Sequence, residues 1–276
     1  MSHPDDTLVK RQTAYTGEVA HQYHNFPGNY DGLALNEYPE SGGSVPRVDG
    51  AYYVIYDGQR MIFNREDEST RVDKSTLLKV DNYKILLEYA FKCPVISAIT
   101  TIVPKENCEE VLKKSPTQCL KPILHSYPSP DANKLLNSIS SKIEHEEVLS
   151  KLEAMELVML PKKFTSNQDI VLEEVCRLLK KLKVEDKLYK FELILQMQCV
   201  IHKYAKTLED IDRLEGVIGV PGTITAMDCQ RQALRDEVMF EMALKIKDKY
   251  GIEDAAEISG FSIEELEAGK MKRRFL

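Results

Sequence analysis

The pattern of apolar and polar positions is most informative between residues 48 and 66, where it predicts two β-strands. The run 48–56 is rich in β-branched and aromatic residues, and the run 59–66 follows it after only Asp57-Gly58. An Asp-Gly pair between two such runs is typical of a hairpin with a two-residue turn. We therefore expect Tyr56 to pair with Gln59 and the two strands to run antiparallel.

This register places Asp49 directly opposite Glu66, with Arg47 opposite Glu68 on the same face because side chains alternate along a strand. Opposed side chains lie roughly 4.5–5.5 Å apart at Cβ, and like charges in that position destabilise a sheet. A bound divalent cation would turn this cost into a ligand set. The alternative is a solvated sheet edge where Arg47 partly neutralises the acids, and such exposed pairs contribute little stability.

The rest of the first half predicts an α/β arrangement. The predicted strand over 94–103 should lie parallel to an earlier strand, because the helix that precedes it crosses one face of the sheet. The predicted elements are a helix over 7–24, a short strand near 32–36, a helix from an N-cap at Asp73 to a residue before Pro94, a buried strand over 94–103, a helix over 106–114 and a strand within 120–125.

From about residue 131 the pattern becomes helical, and the sequence predicts two domains, 1–130 and 131–276. Thr165 with Gln168 and Ser262 with Glu265 have the spacing of capping boxes. The predicted helices are 131–160, 167–183, 186–206, 207–216, 230–250 and 262–268. The fold class is therefore an α/β core with a mixed sheet, followed by an all-α helical C-terminal region.

Composition places the 276-residue chain among ordinary globular proteins, with 43% hydrophobic and 29% charged residues. The sequence shows no membrane-spanning run and no signal-peptide pattern, so we expect a cytoplasmic protein with no membrane partner. The net charge of −7 argues against a general nucleic-acid binder, and any DNA contact must use a local basic patch. Candidate patches are 162–163, 180–183 and 270–274, although such runs are more often solvated faces.

Two carboxylates fixed on a rigid hairpin suit Mg²⁺, which takes oxygen ligands and commonly needs only one or two protein carboxylates plus substrate phosphate. Such an ion can acidify a bound water and stabilise charge on a phosphodiester. The acidic pair therefore points to hydrolysis of DNA.

The same residues resemble a known family. The sequence around the hairpin is similar to the core of the PD-(D/E)XK nucleases, specifically the recombination-promoting nuclease or putative transposase group. In that group an Asp begins the hairpin, and the second strand carries a Glu followed two residues later by Gln or Lys. The segments that carry the resemblance are Arg47-Val48-Asp49, 62–70, 77–90, 94–100 and the ending 258–266.

The resemblance implies a restriction-endonuclease-like α/β core in 1–130 that cuts DNA with Mg²⁺, or with Mn²⁺ as a substitute, in the service of recombination or mobile elements. Asp49 and Glu66 would be the metal ligands. Glu68 stands where Gln or Lys is usual, and Arg65 stands where the family prefers an apolar residue. A Glu at position 68 can act as a base or hold a second cation. Nucleases that cut both strands commonly act as dimers, and a homodimer is expected by that analogy.

Two other functions stay open at this point. The first is a catalytically inactive nuclease fold kept for DNA or protein binding, with Glu68 marking the loss of chemistry. The second is a structural helical adaptor whose hairpin acids form salt bridges at the surface. Cleavage of DNA and binding of Mg²⁺ distinguish all three.

Overall fold

A computed structural model describes residues 4–34, 48–219, 243–244, 247, 251–259 and 261–268. Their contacts divide the chain into two compact units, Met1–Pro221 and Gly222–Leu276. The predicted boundary at residue 130 falls inside the first unit, where strands give way to helices. The predicted helix over 230–250 and the basic run 270–274 lie outside the described residues, apart from isolated helical positions.

The first unit contains a five-stranded mixed sheet in the order β1-β2-β3-β4-β7. The first three strands are antiparallel, whereas β4 runs parallel to both β3 and β7, as expected for a strand that follows a crossover helix. The strands of this sheet are β1 (Asn29–Leu33), β2 (Gly50–Tyr56), β3 (Gln59–Glu68), β4 (Val95–Thr101) and β7 (Ile123–Ser126). The coarse α/β prediction is confirmed.

Helices cover both faces of this sheet. Helix α1 (Pro4–Tyr23) packs on one face and contacts β1, β2 and β3, while α2 (Lys74–Phe91) packs on the other face against β3 and β4. Gly50 permits the first contact, since a Cβ at this position would lie 2.5 Å from Thr13 Oγ1 on α1. The side chain of Asp73 caps α2 by accepting from the Thr76 N–H at 3.0 Å, as predicted.

Two parts of the first half differ from the predictions. The predicted helix over 106–114 is a single 3₁₀ turn (Lys105–Asn107) followed by β5 (Leu112–Ser115), which pairs with β6 (Gln118–Leu120) in a separate two-stranded sheet. That segment is too short to bury a helical face, whereas Leu112 and Leu120 are buried together as a strand pair packed with α2 residues. The strand near 32–36 begins earlier, at Asn29.

The helices after β7 form one continuous core with α1. The predicted helix over 131–160 is two helices, because the Ser150 side chain and Glu153 form a capping box that starts a new helix. By contrast, the prediction of a capping box formed by Thr165 and Gln168 is wrong. Asn167 is the residue that precedes the next helix, and the Gln168 side chain donates to the Phe164 carbonyl. The helices are α3 (Ala132–Glu144), α4 (Lys151–Lys163), α5 (Gln168–Lys181), α6 (Lys187–Tyr204) and α7 (Leu208–Ile218).

The second unit contains two described helices, α8 (Ile252–Ser259) and α9 (Ile263–Ala268). The predicted capping box is present, since Glu265 N–H donates to Ser262 Oγ at 3.2 Å and Ser262 N–H donates to Glu265 Oε2 at 2.9 Å. Ala255, Phe261 and Leu266 are buried together. Among the described residues of both units, no helix combines the length and the apolar character that crossing a bilayer requires.

A buried ion pair ties the sheet to the helices. Lys162 on α4 is fully buried and donates to Asp67 Oδ2 on β3 at 2.8 Å, while the Thr100 hydroxyl donates to the other oxygen of the same carboxylate. Burial raises the pKa of Asp67, but the charges of Lys162 and Arg65 outweigh this and hold it below the ordinary value. Removing one partner of a buried pair leaves an uncompensated charge, which is far costlier than the pair itself.

We expect Lys162→Met to lower the free energy of unfolding by about 3–5 kcal/mol, because it leaves the buried Asp67 carboxylate without its cation. Adding Asp67→Asn should recover part of this loss by removing the uncompensated charge. Urea unfolding at neutral pH measures both changes. The matched control is Lys134→Met, which removes an exposed lysine from a surface pair with Asp131 and should leave stability unchanged. Equal stability of the Lys162→Met and Lys134→Met proteins would contradict the assignment.

Candidate active site on the hairpin

The hairpin register is the one that the sequence predicts. Asp57 and Gly58 both have positive φ, 50° and 76°, which is the conformation of a two-residue type I′ turn. Pairing runs from Tyr56 opposite Gln59 to Gly50 opposite Arg65. Asp49 therefore lies opposite Glu66, one residue beyond the last regular pair.

Two hydrogen bonds hold Asp49 beside the end of β3. Asp49 Oδ2 accepts from the Asp67 N–H at 2.9 Å, and Glu66 Oε1 accepts a longer bond from the Asp49 N–H at 3.4 Å. The Glu66 side chain is almost fully buried, whereas Asp49 is partly exposed. The predicted juxtaposition of Asp49 and Glu66 is confirmed, while their role as ligands stays a prediction.

The Glu66 carboxyl has a strongly perturbed acidity. Burial and, to a smaller extent, the nearby Asp49 charge raise its pKa to about 8, although the Lys79 ammonium opposes both effects. Burial disfavours the charged form of an acid, and a second carboxylate adds repulsion. Perturbed acids of this kind mark candidate functional sites more often than ordinary surface positions do.

Glu68 lies two residues after Glu66 on the same face of β3, and Lys79 joins both acids from α2. Lys79 Nζ lies 2.8 Å from Glu68 Oε1 and 3.2 Å from Glu66 Oε2. Burial lowers the pKa of Lys79, but the hydrogen bond to Glu68 and the charges of Glu66 and Glu68 outweigh this and raise it. Arg47, the predicted partner of Glu68, lies outside the described residues.

Sequence reasoning missed Lys79 because its approach depends on the packing of α2 against the sheet. Leu77, Val80 and Leu87 are the buried residues that seat this helix, and Lys79 lies beside them at the edge of the buried face. The available signal was the Asp73 cap, which fixes where the helix begins and therefore which residues face the sheet.

Two tyrosines lie on the α2 side of the sheet, Tyr83 on α2 itself and Tyr53 on β2. Tyr83 is one turn beyond Lys79, whose Nζ lies 5.8 Å from the centre of the Tyr83 ring. Burial raises the pKa of Tyr83, and the Glu66 charge raises it further. Tyr53 instead packs with Phe91 and lies under the Arg60 guanidinium, 3.6 Å from the ring centre, so its role is packing.

The alternate residues of β3 face α1 instead. Arg65 is buried and donates to Gln12 Oε1 at 2.8 Å and to the Tyr127 hydroxyl at 3.0 Å. Arg65 stands where the resembled family prefers an apolar residue. Its guanidinium binds polar groups on the face opposite Glu66. Asp67 also faces this side, although its backbone N–H holds Asp49.

Basic runs are the other candidates that the sequence offers, as local patches for DNA. Lys162 is buried, so the run 162–163 is neither a solvated face nor a DNA-binding patch, and Lys163 pairs with Glu156 at 3.0 Å. His21 contacts the Tyr52 hydroxyl and the Gly28 carbonyl, and His24 packs against Phe26 and His125. These contacts make both histidines core residues on the face opposite Glu66.

A cleft of about 690 Å³ lies beside the edge strand β7. It is lined by residues 104–106, 124–126, 128–130, 132–133 and 163–166, and it includes neither Asp49 nor Glu66. We therefore assign the candidate chemistry to the hairpin and not to this cleft.

Within the described residues, no group of three or more His, Cys, Asp or Glu side chains is arranged to hold a metal ion. Asp49 and Glu66 supply two carboxylates, and Glu68 is engaged by Lys79. Mg²⁺ commonly uses one or two protein carboxylates and completes its shell with water and phosphate, so the donor set suits this ion in number and kind.

Comparison of the chain with protein-family models, with curated proteins and with solved structures found no match. The nuclease resemblance therefore rests on the residues quoted above, and membership of that family stays a prediction.

The raised pKa of Glu66 predicts a pH-dependent stability. Between pH 4.5 and about 8 the folded protein keeps a proton that the unfolded chain has lost, so the free energy of unfolding should fall as pH rises, by at most about 1.4 kcal/mol per pH unit. Glu66→Gln should flatten this slope, measured by urea unfolding in EDTA from pH 5 to 8.

The control for this experiment is Glu88→Gln, which removes a partly exposed acid paired with Lys84 on α2 and should leave the slope as it is in the parent. A Glu66→Gln protein with the same slope as the parent would show that Glu66 ionises normally.

Proposed function

We propose that this protein is a metal-dependent DNA endonuclease that hydrolyses phosphodiester bonds, with Asp49 and Glu66 as ligands of Mg²⁺. The observation that carries the proposal is the position of Asp49 opposite Glu66 across the hairpin, where the Asp49 N–H donates to Glu66 Oε1 and the Asp67 N–H donates to Asp49 Oδ2. Two acids held this closely destabilise the fold unless a cation or a proton compensates, and Mg²⁺ prefers such oxygen donors.

The order of elements supports a restriction-endonuclease-like core. An antiparallel hairpin leads through α2 into the parallel strand β4, and the acids lie where the hairpin meets the start of α2. This is the order expected from the resemblance. A fold alone does not determine the chemistry of a protein, so the proposal depends mainly on the two carboxylates.

The proposed roles follow from position and burial. Bound Mg²⁺ would lower the pKa of a water and stabilise the charge that develops on the phosphate. Asp49 and Glu66 would hold the ion, and Glu68, the more exposed of the two glutamates on β3, would accept the proton of the attacking water. DNA is the proposed partner, with recombination or mobile elements as the setting that the resemblance suggests.

The test is cleavage of a supercoiled plasmid by the purified protein. We expect nicked or linear products with MgCl₂ or MnCl₂ and none with EDTA. Asp49→Ala and Glu66→Gln should each lower the rate by about 100-fold or more, because each removes a ligand of the charge-stabilising ion.

The matched control is Asp57→Asn, which changes an acid at the other end of the same hairpin to a residue that tolerates positive φ. It should cut DNA at the parental rate, and thermal unfolding should show that all variants are folded. Undiminished cutting by both Asp49→Ala and Glu66→Gln would reject the site.

A second function is favoured by one observation. The Lys79 ammonium already neutralises part of the charge of Glu66 and Glu68, so the acids can be stable without chemistry. On this account the chain is a catalytically inactive nuclease fold that binds DNA or protein. No cleavage by the parent, together with no heat of Mg²⁺ or Mn²⁺ binding in calorimetry, would select this account over the endonuclease.

A further inference from the structure

Lys79 lies against Glu66, one of the two proposed metal ligands, and its charge would therefore affect how the site binds a cation. Lys79 Nζ is 2.8 Å from Glu68 Oε1 and 3.2 Å from Glu66 Oε2, so it bridges two glutamates that alternate with buried residues on β3. Within the described part of the chain, Lys79 forms the ion pairs of both Glu66 and Glu68.

Lys79 lies beside the proposed metal site. It joins Glu66 and Glu68, which share one face of the hairpin with Asp49. A divalent cation between Asp49 and Glu66 would lie within a few ångströms of Lys79, and two positive charges at that distance repel strongly where water is scarce.

The exposure of these groups shows which of them can move. The Glu66 side chain is 1% exposed and the Glu68 side chain is 17% exposed, whereas that of Lys79 is 40% exposed. A lysine head on a flexible four-carbon stem can leave a buried carboxylate for the solvent side, while Glu66 cannot. The solvent side is also where a phosphodiester approaches a metal held by Asp49 and Glu66.

We propose that Lys79 is a built-in counter-ion that competes with the divalent cation for Glu66 and, when displaced, turns its charge toward the phosphate of the substrate. The inference rests on the proposed function, because it takes Asp49 and Glu66 as the metal ligands. It assigns to Lys79 two opposite effects: it weakens metal binding and it assists cleavage.

The test is Lys79→Met, with Mg²⁺ and Mn²⁺ binding measured by calorimetry without DNA and cleavage measured separately at saturating metal. We expect the dissociation constant for the metal to fall about tenfold or more and the cleavage rate to fall about tenfold or more. A lysine that only supports the local structure would, on removal, weaken metal binding or leave it unchanged, and either result overturns the inference.

Two further variants keep the test decisive. Lys79→Gln retains hydrogen-bond donors without the charge, should reproduce both effects, and replaces Lys79→Met if that protein is unfolded. Lys79→Arg keeps the charge and should bind metal as the parent does. The matched control is Lys84→Met on the same helix, whose lysine pairs with Glu88 and should alter neither measurement.

Failure of this inference is distinguishable from failure of the proposed function. If Asp49→Ala and Glu66→Gln abolish metal binding and Lys79→Met leaves the affinity at the parental value, Lys79 is not a competitor although the metal site is correct. If Asp49→Ala and Glu66→Gln bind Mg²⁺ and Mn²⁺ as the parent does, the metal site itself is wrong and the role of Lys79 falls with it.

Discussion

The turn at Asp57 and Gly58 fixes the register of β2 against β3, and the charged residues at the end of β3 take their partners from that register. Residues 65–68 are all charged, and alternation along the strand divides them between two faces. Arg65 and Asp67 face α1 and α4, whereas Glu66 and Glu68 face α2. A shift of one residue would exchange the two sets and leave each charge without its partner.

Buried charges are compensated in different ways on the two faces of the sheet. On the α1 face, Asp67 accepts from Lys162 and Thr100, and Arg65 donates to Gln12 and Tyr127, so both charged groups bind buried protein partners. On the α2 face, Glu66 and Glu68 share the ammonium of Lys79, whose side chain is 40% exposed. Buried polar networks make a fold rigid, whereas a partly exposed lysine can exchange its partner for water or a ligand.

The hairpin and its acidic pair could be predicted from the sequence because both depend on local information. Asp57-Gly58 sets the turn type, the turn sets the pairing, and the pairing brings Asp49 to Glu66. The Asp73 and Ser262 caps were predictable for the same reason.

The break before α4 was missed although Ser150 and Glu153 carry the spacing of a capping box. The helical assignment of 106–114 was wrong because a short segment takes its conformation from what it packs against. The pairing of Lys79 and Lys162 with these acids was missed, since each lysine reaches its acid only through the packing of its helix, and Lys162 is far from Asp67 in the chain.

Asp67 makes two contacts through different groups. Its backbone N–H binds the Asp49 carboxylate, and its side chain binds Lys162 near the end of α4. A single residue thus couples the helical layer mechanically to the acid that begins the hairpin. The helices after β7 are consequently not a separate appendage to the sheet, since a displacement of α4 would be transmitted within one residue to the orientation of Asp49.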